Sequence, residues 1–192
     1  MKLSDYIEHV TGHARSIPEA NVEEVVDALL NVYESGKTVF VIGNGGSAAN
    51  ASHFAQDLAK GTLRDPAQVR RLRALSLTDN SSFMTALAND EGYEHIFVQQ
   101  LKTFARPGDL LIAISGSGNS ANVLRAVEWA RTNDLLTVAF TGFDGGRLHS
   151  LADINVHTEL PDMCATEAIH SILFHFVAEE VKRRMAERDG KR

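Results

Sequence analysis

The sequence predicts an α/β fold in which a parallel sheet is covered by helices on both faces. Strand-like apolar runs recur at residues 38–42, 72–77, 110–114, 137–141 and 154–156. Helix-like stretches separate most of them, and strands that alternate with helices pair in parallel because each return needs a crossover. The chain of 192 residues, 44% of them hydrophobic, is long enough to enclose a sizeable core.

The elements follow in order. Residues 3–16 and 22–34 have amphipathic spacing, with Pro18 between them. In the second, Val22, Val25, Val26, Leu29, Leu30 and Val32 trace one apolar face. These two helices, within residues 1–35, need an apolar surface to cover, either their own sheet or another subunit. After the first strand, residues 48–60 read as a helix. Residues 80–88 and 95–104 follow the second strand, and 119–132 follow the third. Gly145 and Gly146 mark a turn before a short helix. The last helix runs from Thr166 to about Ala186, with Ile169, Ile172, Leu173, Phe176, Val177 and Val181 in helical register. Residues 187–192 are a charged tail, expected to fray. No repeat, linker or second domain interrupts the pattern, so residues 1–192 read as a single domain.

Composition narrows the function. The formal net charge of −6 disfavours binding to nucleic acid or to a membrane surface. No apolar run approaches the length of a membrane span, and the first residues lack a signal-peptide core. Cys164 stands alone and cannot form an internal disulfide, so a reducing cytoplasm is the expected compartment. A lone cysteine is more often a packing residue than a nucleophile.

Two glycine–serine loops carry the chemistry. Gly43-Asn44-Gly45-Gly46-Ser47 follows the first strand, and Ser115-Gly116-Ser117-Gly118-Asn119-Ser120 follows the third. Each precedes a helix, the context in which backbone N–H groups and hydroxyls hold a phosphate at a helix N-terminus. Either loop alone could be a tight turn with a helix cap. Together they suggest one phosphorylated small molecule held from two sides, at the strand ends where open α/β sheets bind ligands. No Gly-Lys-Ser/Thr element is present, which argues against a P-loop nucleotidase. Gly43, Gly45 and Ala48 also fit a dinucleotide fingerprint, with Asp79 near the end of the second strand, but that reading leaves the second serine loop unexplained.

A second constellation lies on two helices. His53 and Asp57 are four residues apart and share a face; Glu167 and His175 are eight apart, about two turns. Two imidazoles and two carboxylates suit a borderline divalent ion such as Zn²⁺. The plain alternative is a surface ion pair on one helix and packed residues on the other. His170 falls on the same general side as Glu167. His149 and His157 have no partner by spacing and read as surface or edge residues, and His9, His13 and His95 form no constellation.

Taken in order, these motifs resemble those of phosphoheptose isomerases, within the wider sugar-isomerase (SIS) domain family. The resemblance rests on residues 43–55, on Asn89-Asp90-Glu91-Gly92-Tyr93, on the serine loop 115–120, on Thr141-Gly142-Phe143-Asp144-Gly145-Gly146, and on Glu167-Ala168-Ile169-His170 with His175. It implies a three-layer sandwich with a five-stranded parallel sheet in flavodoxin-like order, assembled as a homotetramer. It implies conversion of sedoheptulose 7-phosphate to a heptose 7-phosphate aldose on the way to activated heptose. Asn44, Gly45, Gly46 and Ser47 would line the sugar phosphate, Asn89 and Asp90 would touch its hydroxyls, and Ser115, Gly116, Ser117 and Ser120 would form the phosphate loop. Asp57 and Glu167 would also face the substrate. His53, Asp57, Glu167 and His175 would hold one zinc ion per site.

Such an isomerase needs a base and an acid to move a proton between C1 and C2 through an enediol, and Asp57 and His175 are the expected pair. The chain departs from the family at three positions. Asp57 stands where Glu is common, Glu167 where Gln is frequent, and Gly116 where Thr is common. The alternatives are a non-catalytic SIS-domain protein, binding a phosphosugar or a replication initiator, and an isomerase of another phosphosugar.

Overall fold

The structure, a computed structural model, describes residues 2–189. Its sheet has five parallel strands: β1 (Thr38–Gly43), β2 (Arg73–Ser76), β3 (Leu110–Ser115), β4 (Leu136–Thr141) and β5 (Ile154–His157). The order is β2-β1-β3-β4-β5, the flavodoxin-like order expected. Eight α-helices flank it: α1 (Leu3–Ala14), α2 (Glu19–Ser35), α3 (Gly46–Gln56), α4 (Ser81–Asp90), α5 (Val98–Phe104), α6 (Ala121–Thr132), α7 (Gly146–Leu151) and α8 (Met163–Asp189).

The strand side chains alternate between two cores, as a period of two requires. Val39, Val41, Leu110, Ile112, Val138 and Phe140 face one cluster, shared with α2, α3 and α8. Phe40, Ile42, Leu111, Ala113 and Ala139 face the other, shared with α4, α5, α6 and α7. The three layers follow directly. The apolar face read in α2 is buried throughout, and α2 ends at Gly36, whose φ of +67° is the left-handed cap that glycine adopts without strain. On α1 only Val10 is buried; Leu3 and Ile7 are exposed.

Because the strand order reverses between β1 and β3, the loops after these neighbours diverge to opposite faces and open a crevice between them. This switch point is where the two glycine–serine loops meet.

Three local differences matter for the site. The helix after β1 starts at Gly46 and widens into a π-helix over Asp57–Gly61. The last helix starts at Met163, three residues before the expected start, because Asp162 accepts hydrogen bonds from the amides of Ala165 (to Oδ1, 3.1 Å) and Thr166 (to its carbonyl, 2.9 Å). It also continues to Asp189, against the expected fraying of 187–189. Tyr33 Oη donates to Asp189 at 2.8 Å, and Arg64 pairs with the same carboxylate at 2.6 Å. Residues 190–192 lie outside the described residues.

Candidate active site

A cavity of about 220 Å³ opens at the switch point. Residues 44–47 line one wall, Ser115, Gly116, Ser117 and Ser120 a second, and Met163 and Glu167 of α8 a third. No Lys or Arg is among these lining residues. An anion here would meet the N-termini of α3 and α6, whose first amides have no partner within the helix and carry the positive end of each helix dipole. Ser47 and Ser115 are buried. Ser120 stands at the N-cap of α6 yet makes no capping bond, so its hydroxyl is left for a ligand.

The two loops are tied together by a pair of amides. Asn44 Nδ2 donates to Asn122 Oδ1 and Asn122 Nδ2 donates to Asn44 Oδ1, both at 2.9 Å. Tyr93 Oη donates to the same Asn44 oxygen at 2.9 Å. Asn44 was expected at the sugar phosphate. It does line the cavity, but its side chain is committed to holding the loops at their spacing. Asn122 was missed by sequence reasoning; the signal was a lone amide within the first turn of an otherwise apolar helix face.

The start of α8 rests on three glycines, one that opens α3 and two from the loops after β3 and β4. A Cβ on Gly46 would lie 2.2 Å from Glu167 Oε2, one on Gly116 2.6 Å from Met163 Sδ, and one on Gly142 2.5 Å from Thr166 Cγ2. These distances exclude side chains unless α8's own side chains move. Positions 163, 166 and 167 share one helix face, so a single helical turn closes the cavity.

α3 and α8 lie side by side. Asn50 Nδ2 donates to the Glu167 carbonyl at 3.1 Å, and Ser171 Oγ donates to Asn50 Oδ1 at 3.0 Å. Seven residues beyond Gly46 on α3, and eight beyond Glu167 on α8, the second constellation forms. His53 Nε2 lies 3.5 Å and His175 Nδ1 3.1 Å from Asp57 Oδ2. At a rise of 1.5 Å per residue the two levels are separated by about 10–12 Å. The side chains of His53 and His175 are 50% and 52% exposed and that of Asp57 19%, so the cluster is open to solvent on one side. Asp57 is the first residue of the π-helix, a widening that re-aims side chains and recurs at functional sites.

The cluster fits a metal ion. One ligand atom from each of His53, Asp57 and His175 lies within 4.8 Å of the others, and three convergent N/O donors with an open side suit a catalytic Zn²⁺. Glu167, expected as a fourth ligand, is not part of this group: its carboxylate lies against Gly46, two turns away. Asn89 and Asp90, expected at the sugar hydroxyls, are exposed at the end of α4, bonded to each other at 2.7 Å, and do not line the cavity. His170 is fully buried under the site with Nε2 3.3 Å from the Thr141 carbonyl, and burial pushes its pKa down to about 4, so it is a neutral packing residue. Burial likewise lowers the pKa of His157, whose Nδ1 meets Thr141 Oγ1 at 2.9 Å. Asp79, the acid a dinucleotide reading required, accepts from Ser52 Oγ at 2.6 Å.

Comparison with known proteins agrees with this geometry. Residues 4–142 match the SIS domain family. The phosphoheptose isomerase of Mycobacterium tuberculosis is 42% identical over 156 residues, 81% of this chain and 78% of that protein. A probable phosphoheptose isomerase of Thermoplasma volcanium is 35% identical over 181 residues, 94% and 91% of the two chains. The structure of the phosphoheptose isomerase GmhA from Neisseria gonorrhoeae superposes with a TM-score of 0.85 at 31% identity, covering 94% of each chain. Among the described residues no helix is long and apolar enough to cross a membrane. With a cavity lined by no Lys or Arg and a His–Asp–His cluster on the same pair of helices, the chain belongs to the SIS-domain family and, within it, to the phosphoheptose isomerases, enzymes that act on phosphorylated sugars.

Proposed function

We propose that the chain interconverts sedoheptulose 7-phosphate and D-glycero-D-manno-heptose 7-phosphate by moving a proton between C1 and C2 through an enediol. The observation that carries this reading is the spacing of the two half-sites. A hydroxyl-and-amide cavity at Gly46 and Glu167 and an acid–base cluster at His53 and His175 lie on the same pair of helices, α3 and α8, about 10–12 Å apart along them. That separation suits a seven-carbon chain held by its phosphate at one end and worked upon at the other. Phosphate binding then supplies remote binding energy that orients the reacting carbons.

In this reading Ser115, Ser117 and Ser120 hold the phosphate with the first amides of α3 and α6, and Gly45, Gly46 and Ser47 face the sugar chain. Both imidazoles approach one oxygen of Asp57, Oδ2. Oδ1 is thereby left to take the proton from carbon, and His175 returns one to the sugar oxygen. His53, Asp57 and His175 would hold a divalent ion, Zn²⁺ by donor type, which when bound polarises the sugar oxygens. Glu167 contributes at the substrate side, beside Gly46. The same reading takes residues 1–192 as one SIS unit that assembles as a homotetramer in the cytoplasm. The exposed side chains of Leu3, Ile7, Ile172 and Phe176 offer apolar surface for that assembly, which sedimentation tests.

The test is aldose formation from sedoheptulose 7-phosphate by purified protein, its Asp57→Asn and its His175→Gln variants. A fall in kcat of at least about 100-fold in each, with the fold retained, is expected for loss of a general acid or base. Near-normal kcat in both variants would overturn the role assignment. A protein free of metal and inactive on phosphorylated ketoses would favour a binding protein over this enzyme.

A further inference from the structure

Within the cavity, the loop residue Gly116 and the α8 residue Met163 form a contact that the proposed chemistry does not use. The Met163 thioether lies where a side chain on residue 116 would be: a Cβ there would meet Sδ at 2.6 Å and Cε at 3.2 Å. Behind that point Thr166 Cγ2 is 3.8 Å away. The backbone of Gly116 is held, because its carbonyl accepts from the Gly142 amide at 2.9 Å. Residue 116 therefore cannot retreat, and only the flexible Met163 side chain can give way. Met163 is 39% exposed, lines the cavity, and stands at the start of α8, whose first turn is tied to Asp162 through the amides of Ala165 and Thr166.

We propose that Met163 is a specificity-determining residue that walls the phosphate end of the cavity with an apolar, polarisable surface, in the space that a side chain at 116 would otherwise take. The proposal rests on the reading that the substrate's phosphate occupies this cavity. Its chemistry is that of a dry wall. The thioether offers an anion no hydrogen-bond donor, but it covers an open side and excludes water, which strengthens the bonds from the serine hydroxyls and helix amides that remain. The wall selects a compact terminal phosphate monoester. Met163 stands twelve residues before His175 on α8, about 18 Å along the helix axis, so it acts on binding and leaves the proton transfer untouched.

The experiment compares the full chain with Met163→Ala, Met163→Leu, Gly116→Thr and the double variant Gly116→Thr/Met163→Ala. It measures KM and kcat for sedoheptulose 7-phosphate, and calorimetric binding of inorganic phosphate. Met163→Ala is expected to raise KM about tenfold, the scale of a small volume lost from an apolar wall, with kcat unchanged and phosphate binding weakened in parallel. Met163→Leu, which keeps the volume, restores both. Gly116→Thr alone also weakens binding because it collides with Met163, and the double variant binds better than either single variant, since the new hydroxyl enters the vacated space. The proposal is overturned if Met163→Ala leaves KM and phosphate binding within twofold, if kcat falls instead of KM, or if the two single effects simply multiply. Should the wild type fail to isomerise the heptulose phosphate while phosphate binding still responds to Met163→Ala, the wall stands and the substrate assignment falls. Absence of any phosphate binding by the wild type removes the wall.

Discussion

Asn122→Ala tests whether the amide pair sets the distance between the two loops. Asn122 is 2% exposed and exchanges two hydrogen bonds of 2.9 Å with Asn44. Its Oδ1 also accepts from the Val123 amide at 2.9 Å. Each neutral bond contributes about 1 kcal/mol net, and the three together set a loss of about 2–3 kcal/mol. The loss stays at that level because Asn44 is only half-buried, so water can reach its freed Nδ2, and its Oδ1 keeps Tyr93. Urea denaturation should show a lower midpoint with an unchanged slope, the signature of altered stability without altered compactness. KM for the sugar phosphate should rise as the loops separate. Removing Asn44 as well should cost little more, so the cycle of Asn44→Ala and Asn122→Ala should give a coupling of at least about 1 kcal/mol. A stability loss below about 0.5 kcal/mol, or strict additivity of the two variants, would refute the clamp.

Other expectations follow from single contacts. Glu167→Gln removes the one carboxylate among the residues lining the cavity while keeping a polar group against Gly46, so, if the cavity takes the phosphate as proposed, KM for the sugar phosphate should fall; a rise would show that the charge itself is needed. Gly118→Ala should be strongly destabilising, by about 2 kcal/mol or more in a melting experiment, because its Cβ would lie 1.9 Å from the Gly145 carbonyl oxygen at a φ of +62°. His170 is neutral in the fold with its pKa lowered to about 4, while in the unfolded chain it titrates near 6.5. The unfolded state therefore binds the extra proton in that window, and stability is lost as pH falls from about 6.5 to about 4, by about 3 kcal/mol in all; His170→Phe should flatten that part of the stability profile.

Much of the fold was written in the chain's periodicities. The five apolar runs became the five strands; the central β1, β3 and β4 are apolar almost throughout because helices cover both their faces, while the edge strands β2 and β5 are shorter and partly exposed. The apolar face of α2 is buried as its spacing required. The two loops were legible because glycine and serine cluster between a strand and a helix for few reasons, and His53 and Asp57 because four residues return a helix to the same face.

What no local pattern could supply was the partner across space. Glu167 shares a helix face with His175, yet its carboxylate points to Gly46, because α8 presses onto three glycines about 25 to 120 residues away in the chain. Asn89 and Asp90 match a motif, yet the packing of α4 leaves them outside the cavity. Asn122 and Met163 carried no motif at all; they became part of the site only when α6 and α8 were docked. Periodicity reports which face of an element is apolar, a short-range property of the chain. The distance between loops and the identity of the side chain that fills a glycine's empty Cβ position are set by how those faces pack, and that was decided by the tertiary structure alone.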